Sequence, residues 1–342
     1  MVSFQLLCIM ENVSYVGIDI AKESFVVGYL DATSQKYRSV SYSYSNEDCT
    51  RFLSSLSSSS HCVLEATGNY HLRLVYLLCE RGFCVSVVNP LSIKRFVQMR
   101  GSISKTDSQD AIHLCKYGQS EHPPVFSLPA PSLEILKQRR TLLYQFKEQL
   151  QRLCNHEEAL LHHPKVDSFT LQCVQEEIAY LRTKTDRIGK EIRSVIDSDY
   201  GDYLELIKSV PGFGDITAQA VIEAIQSFQG FEEDTKGRAF IKFVGLAPTI
   251  FRSGTSVRGR SHINRATGSD LRKILYMPAV SICTHAKKDN VFKSYYLRLR
   301  SLGKSFKEAM VAVMHKMVKV VIAVVKRKAS FDLNLYGKTF SK

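Results

Sequence analysis

The sequence contains no Gly-x-Gly-x-x-Gly fingerprint and no P-loop, so neither a dinucleotide cofactor nor nucleoside triphosphate hydrolysis has a footing in it. Its nine cysteines form no Cys-x-x-Cys pair and no Cys/His set at zinc spacing. Cys62, Cys79, Cys84 and Cys115 lie within apolar runs and read as small core residues of a chain without a disulfide framework, as in a reducing compartment. No apolar run is long enough for a membrane span: the stretch from Ala309 to Val325 is broken by His315, Lys316 and Lys319 and reads as a core helix. The N-terminus lacks the basic region and apolar core of a signal peptide. The expectation is a cytoplasmic, nucleoid-associated protein with no membrane partner. Met10 directly precedes the first structured pattern, so residues 1–9 read as an upstream-start extension. Acidic residues are scarce at the C-terminal end: from Arg252 to Lys342 there are 20 Lys/Arg against four acids. That excess of 16 exceeds the net charge of the whole chain, +13, and points to a polyanionic partner.

What is present divides the 342 residues into three segments. Residues 14–122 read as α/β, with strands at 15–20, 24–31 and 37–43, a helix at 46–57, a strand at 61–66, a helix at 70–81, a strand at 83–88 and helices at 92–99 and 107–118. An opening meander followed by alternating helices and strands matches a ribonuclease-H-like fold and not a doubly wound one. A Pro-rich stretch, Pro123 to Pro131, reads as a linker. Residues 132–200 carry two long apolar stripes at spacings of three and four, the second running Leu171, Val174, Ile178, Leu181, Thr185, Ile188, Ile192, Val195. They predict an antiparallel helical hairpin, or arms that pair between subunits, broken at His162-His163-Pro164. Residues 204–332 read as mainly helical. Within them Ser209-Val-Pro-Gly-Phe-Gly-Asp-Ile-Thr217 has the form of a helix-hairpin-helix turn, where Gly212 and Gly214 would let backbone N–H groups approach a phosphate.

Four carboxylates carry the chemistry. Asp19 ends the strand Tyr15-Val-Gly-Ile-Asp-Ile20 and Glu65 ends the strand in His61-Cys-Val-Leu-Glu-Ala-Thr-Gly68. Asp107 and Asp110, in Lys105-Thr-Asp-Ser-Gln-Asp-Ala111, share one face at the start of a helix. Capping alone could account for Asp107. Strand-end carboxylates are more often functional, because the carboxyl ends of parallel strands form the ligand crevice. Four acids converging from two strands and a helix repel one another unless cations neutralise them, and hard oxygen ligands select Mg²⁺ or Mn²⁺. A second constellation is Phe251-Arg-Ser-Gly-Thr-Ser-Val-Arg-Gly-Arg-Ser-His262 with Asn264-Arg-Ala-Thr-Gly-Ser269. Its glycines, hydroxyls and Arg252, Arg258, Arg260 and Arg265 suit a phosphate cradle, and one hydroxyl could attack phosphorus. The chemistry does not choose among Ser253, Thr255, Ser256 and Ser261.

Gly17-Ile-Asp-Ile-Ala-Lys22, Glu65-Ala-Thr-Gly68, Val88-Asn-Pro90, the Lys105 to Ala111 run, Pro211-Gly-Phe-Gly214, Gly245-Leu-Ala-Pro248, Ser253-Gly-x-Ser-Val-Arg-Gly259 and Leu275-Tyr-Met-Pro278 occur in this order. Together, from about residue 14 to 332, they resemble the DEDD transposases of the insertion-sequence one-hundred-and-ten family, which are related to the Piv DNA invertases. The resemblance implies a RuvC-like N-terminal domain whose tetrad, Asp19, Glu65, Asp107 and Asp110, holds Mg²⁺. It implies a C-terminal domain with a catalytic serine, matching Ser253. It also implies donor and target DNA as substrates, an element-encoded bridge RNA that pairs with both, and a homo-oligomer built as a dimer of dimers. Two other classes stay open on the residues: a hydrolytic nuclease of Holliday-junction-resolvase type, and a nucleic-acid-binding protein whose acids are structural.

Overall fold

The computed structural model describes residues 13–101, 106–249, 252–253, 257–258, 262–263, 269–287 and 289–333. The chain divides into two compact units at Leu128/Pro129.

The first unit is a mixed α/β layer. Strands β1 (Ser14–Ile20), β2 (Ser24–Leu30) and β3 (Tyr37–Ser43) form the expected antiparallel meander. After α1 (Asn46–Ser55) the chain crosses to β4 (Ser60–Glu65), which pairs parallel to β1. Helix α2 (Tyr70–Glu80) then leads to β5 (Cys84–Val88), parallel to β4, giving the order β3-β2-β1-β4-β5. Helix α3 (Pro90–Met99) starts two residues earlier than the sequence predicts, with Pro90 in its first turn and Asn89 Oδ1 accepting from Leu91 N. Helix α4 (Asp107–Glu121) closes the unit.

Two apolar clusters cover the sheet. One packs Phe25, Tyr42 and Phe52 with Leu74, Val75 and Leu78; the other packs Val63 and Val88 with Ile93 and Leu114. The start of the Pro-rich stretch is tied down. Phe126 N donates to Val85 O (2.6 Å), and Ser86 Oγ donates to the carbonyls of Pro123 and Pro124. One departure concerns sulfur. Seven described cysteines are free, but Cys84, at the start of edge strand β5, is disulfide-bonded.

The second unit is helical. Helices α5 (Pro131–Leu161) and α6 (Ser168–Asp199) pair as an antiparallel hairpin. Val174, Ile178, Leu181, Thr185, Ile192 and Ile196 are buried on α6, the stripe the spacing predicts. Around the turn, His163 Nδ1 engages the backbone of Lys165. The base of the hairpin, through Leu136, Ile192 and Ile196, joins one large core with α7 (Gly201–Lys208), α8 (Asp215–Ser227) and α9 (Arg238–Phe243).

Next come four two-residue strands, β6 (Pro248–Thr249), β7 (Arg252–Ser253), β8 (Val257–Arg258) and β9 (His262–Ile263). The chain ends in α10 (Ser269–Val280), a π-helical turn (Ser281–His285), α11 (Val291–Ser301) and α12 (Phe306–Arg327). Pro278 lies inside α10, where it removes a backbone donor just before the π turn. Helix α12 opens with a Ser305–Glu308 capping box and buries Val313, Met317, Val321 and Val324. Among the described residues no helix is long and apolar enough to cross a membrane.

Candidate active site

Asp19 and Glu65 occupy matching positions on neighbouring parallel strands: Ile18 pairs with Leu64, and each acid is the next residue. Both lie at the carboxyl ends of their strands, and both are half-buried. The other two acids come from the first turn of α4. Thr106 is the cap there, its Oγ1 accepting from Gln109 N at 3.3 Å, so capping does not account for Asp107. An N-terminal turn also favours negative charge through its free N–H groups.

A pair of glycines brings α4 to the acids. Gly17 and Gly28 face each other across β1 and β2. A Cβ on Gly17 would lie 2.1 Å from Ala111 O and 2.2 Å from Cys115 N; one on Gly28 would lie 2.6 Å from Ala111 C and Ile112 N. Helix and sheet therefore touch backbone to backbone. On the helix side, a Cβ on Gly118 would meet Tyr15 and Val63. Cys115 Sγ completes the contact by donating to Tyr15 O. The sequence shows both strand glycines but not that they stand opposite one another, so this device is invisible until the strands are paired.

The electrostatics follow from the placement. Burial first, then the charges of Asp110, Asp107 and Glu65, together push the Asp19 carboxyl up to about 6, against a weaker opposing hydrogen bond from the Ile20 backbone. The other three acids therefore all act on Asp19 through space. Among the described residues, however, no three His, Cys, Asp or Glu side chains close into a group arranged to hold a metal ion. Like charges without a cation hold one another apart. The donor set itself is all carboxylate oxygen, with Asp19, Glu65 and Asp110 half-buried and Asp107 exposed, which fits Mg²⁺ or Mn²⁺ and not a softer metal.

The serine lies in the second unit. Strand β7 carries Arg252 and Ser253 and pairs antiparallel with β8, Arg252 with Arg258 and Ser253 with Val257. Nearer the base of the segment, β6 pairs with β9, Pro248 with Ile263. The segment is thus a hairpin with Ser253 in its outer ladder. Arg260 and Arg265 lie outside the described residues, as do Thr255, Ser256, Ser261 and Lys105.

The Pro-Gly-Phe-Gly turn joins α7 to α8 as expected. Gly212 has φ +91°, and a Cβ there would meet Met317 Cε at 3.0 Å and Ile282 Cδ1 at 3.3 Å, so its side of the turn packs on the core. Gly214 caps α8 and faces open space. Beside it Asp215 already pairs with Arg193 (2.7 Å) and Lys208 (3.0 Å).

Comparison with known proteins covers both units. Residues 16–163 match the transposase family model of DEDD, IS110 type, and residues 204–297 match a model described as transposase IS116/IS110/IS902 family. The chain is 28% identical over 336 residues to the pilin gene-inverting protein of Moraxella bovis, covering 94% of this chain and 99% of that one. A pilin gene-inverting protein of Moraxella lacunata is 28% identical over 334 residues, with the same shares covered. A 43.6 kDa protein of insertion element IS110 from Streptomyces coelicolor is 27% identical over 121 residues, 35% of this chain and 28% of that one. With its carboxylate unit and its serine-bearing segment both matched, the chain belongs to the IS110 family of transposases.

Proposed function

We propose that this transposase recombines DNA through a covalent phosphoserine at Ser253, assisted by the carboxylates Asp19, Glu65, Asp107 and Asp110 of a RuvC-like, ribonuclease-H-like first unit. Ser253 Oγ attacks a DNA phosphorus. A new O–P bond forms, the bond to one strand breaks, and the departing oxygen takes a proton to become a free hydroxyl. The reverse attack by a hydroxyl of the partner strand expels Ser253 and seals the new junction. The linkage retains the energy of the phosphodiester, in keeping with a sequence that has no P-loop.

Arg252, Arg258, Arg260 and Arg265 place positive charge around the reacting phosphate. Mg²⁺ or Mn²⁺, held by the four carboxylates, supplies Lewis-acid polarisation of the phosphate oxygens. The half-exposed Asp19 and Glu65 orient that charge at the strand ends, and the basic C-terminal segment and the Gly212–Gly214 turn hold nucleic-acid backbone. An element-encoded bridge RNA pairs with donor and target DNA and so selects the sequence, and a dimer of dimers brings the two DNA partners together.

The observation that carries this reading is the coupling of four carboxylates from β1, β4 and α4 at Asp19. A second reading, a metal-dependent nuclease that activates water, draws on the same coupling and needs nothing from the serine hairpin. The relatives favour the first, since a protein named for inverting a gene has to rejoin what it cuts.

The test incubates purified protein with Mg²⁺, flanking RNA and labelled donor and target DNA, then denatures it. We expect DNA covalently attached to protein, absent in Ser253→Ala and in Asp19→Asn. Cleavage that persists in Ser253→Ala without any adduct leaves the hydrolytic nuclease.

A further inference from the structure

In the second unit a cleft of about 990 Å³ opens between the inner strand pair of the hairpin and helices α11 and α12. That volume suits a small planar ligand. Its walls are apolar, formed by Leu246, Leu299, Val311 and Ala312, with Pro248 and Ile263 at the strand pair. Polar groups gather at its edge: Lys304, Lys307, Tyr295 and His315. Glu308 is the one acid among the described lining residues, and its carboxylate accepts the Ser305 N–H at 2.9 Å within the cap of α12.

Positive charge continues beyond the edge. Arg298 and Lys316 each lie 5.5 Å from the centre of the Tyr295 ring. Burial, then Lys319, then Lys316 depress the His315 imidazole; burial, then Lys319, then Arg298 depress the Lys316 ammonium. The neighbouring charges that act on both are cationic, so this rim is crowded with like charge that a phosphate relieves.

We propose that the cleft receives an unpaired nucleotide of a nucleic-acid strand, with its base against the apolar wall and its phosphate on the rim of Arg298, Lys316 and Lys319. The ligand class rests on the DNA-recombining reading above. A paired base keeps its faces inside the duplex stack, so only an extruded or single-stranded one can enter a slot of this kind. The position gives the slot a purpose. Pro248, on the cleft wall, is five residues before Ser253. At about 3.5 Å per extended residue, the serine is within about 18 Å of it along the chain. A base held in the cleft therefore lies within a few nucleotides of the phosphate offered to Ser253. Strand exchange must unstack bases at the junction, and a slot that accepts one offsets that cost.

The test measures equilibrium binding by the full-length protein in chelator, where no chemistry occurs. The probes are a labelled oligothymidylate and a strand of the same length and charge with abasic sites at its centre. We expect the base-bearing strand to bind on the order of tenfold tighter. Ala312→Trp, which fills the slot, should abolish that preference and leave affinity for the abasic strand unchanged. Lys319→Glu, at an exposed position, should weaken both strands alike and flatten the salt dependence. Equal affinity of the wild type for the two strands overturns the proposal, as does a preference undiminished in Ala312→Trp. Replacing the probe with oligouridylate shows whether the nucleotide comes from RNA or from DNA. A protein with the base preference but no serine adduct sinks the recombinase mechanism and keeps the slot; the reverse result does the opposite.

Discussion

In the first unit four carboxylates hang from a five-stranded sheet and from a helix locked to it backbone to backbone, whereas Ser253 sits on a hairpin framed by two ladders of two residue pairs each. The carboxylates repel one another, and only a stiff scaffold holds repelling groups together until a cation arrives. The serine needs no such restraint before substrate binds. Ladders this short are marginal by themselves in water, so contacts with the bound strand are expected to set its final geometry. Substitutions in the first unit should therefore show up in stability as well as in activity, and substitutions in the hairpin in activity alone.

The severest break of that contrast is Gly17→Ala. The added methyl meets the backbone of α4 at 2.1 Å, where no side chain can swing aside. Either the helix lifts off β1 and β2 or the strand shifts, at a cost of about 3–5 kcal/mol. Thermal unfolding should show the loss, and adduct formation should fall with it because Asp107 and Asp110 ride on α4. An unchanged melting temperature would mean that the close approach is not there. By contrast, Ser253→Ala should leave the melting temperature within about 1 °C while removing the adduct, since a ladder of two residue pairs carries little of the fold's stability.

Asp19→Asn sharpens the comparison from the other side. The folded Asp19 carboxyl titrates at about 6 against an ordinary 3.8, so its charge destabilises the metal-free fold above that range. Folding takes up a proton at Asp19 between those values, and the Asp19 contribution to stability therefore rises as pH falls from about 6 to 4. Asp19→Asn removes the repulsion. We expect it to be more stable than the parent at pH 7.5 in chelator, by on the order of 1 kcal/mol once solvent screening of a half-exposed group is allowed for. Adding Mg²⁺ should raise the parent's melting temperature and leave the variant's unchanged. A variant that melts lower in chelator and still responds to Mg²⁺ would remove the electrostatic account of the site.

Much of the first unit was legible because its signals are local. The Val-Gly-Ile-Asp and Cys-Val-Leu-Glu runs are short apolar strands ending in acids. What stayed hidden depends on residues far apart in sequence. Gly17 and Gly28 look like ordinary strand glycines until pairing sets them under α4. Thr106 and Asp107 are both good caps, and only the Oγ1 to Gln109 contact assigns the role. Gly212 resembles a phosphate-binding glycine, yet its core-facing side is fixed by Met317 and Ile282, more than sixty residues away. In the second unit the α6 stripe was plain from its spacing, but the choice of Ser253 among four hydroxyls came from family resemblance, since neighbouring hydroxyls in a Gly-rich loop are chemically alike.

His61 is another long-range product, and it opposes Asp19. Buried at 4% exposure on β4, it stacks on Tyr15 at 5.1 Å and bonds Ser86 Oγ through Nε2 at 2.8 Å. Burial, helped by His122, depresses its imidazole to about 4, so the folded protein keeps it neutral where the unfolded chain, at about 6.5, takes a proton. Its stabilising contribution is complete above pH 6.5 and lost as pH falls towards 4, by on the order of 2 kcal/mol. In the parent the smaller gain from Asp19 offsets part of this loss. In Asp19→Asn the cancellation is gone, and the urea midpoint should fall steadily from pH 6.5 to 4. A flat profile in that variant would leave His61 with no part in the acid sensitivity.

The smallest effect has the opposite sign and turns on the same residue type. Gly189 lies in the middle of α6, and a Cβ there meets nothing within 4 Å. Gly17 is glycine because a backbone lies against it; nothing among the described residues gives Gly189 such a reason. Gly189→Ala should therefore stabilise the helix by about 0.5–1 kcal/mol through lower backbone entropy in the unfolded chain, a rise of a few degrees in melting temperature. A loss of stability instead, growing with protein concentration, would mean that a second copy brings a helix against this face. The hairpin would then be an arm that pairs between subunits, and Gly189 a close-approach glycine like Gly17.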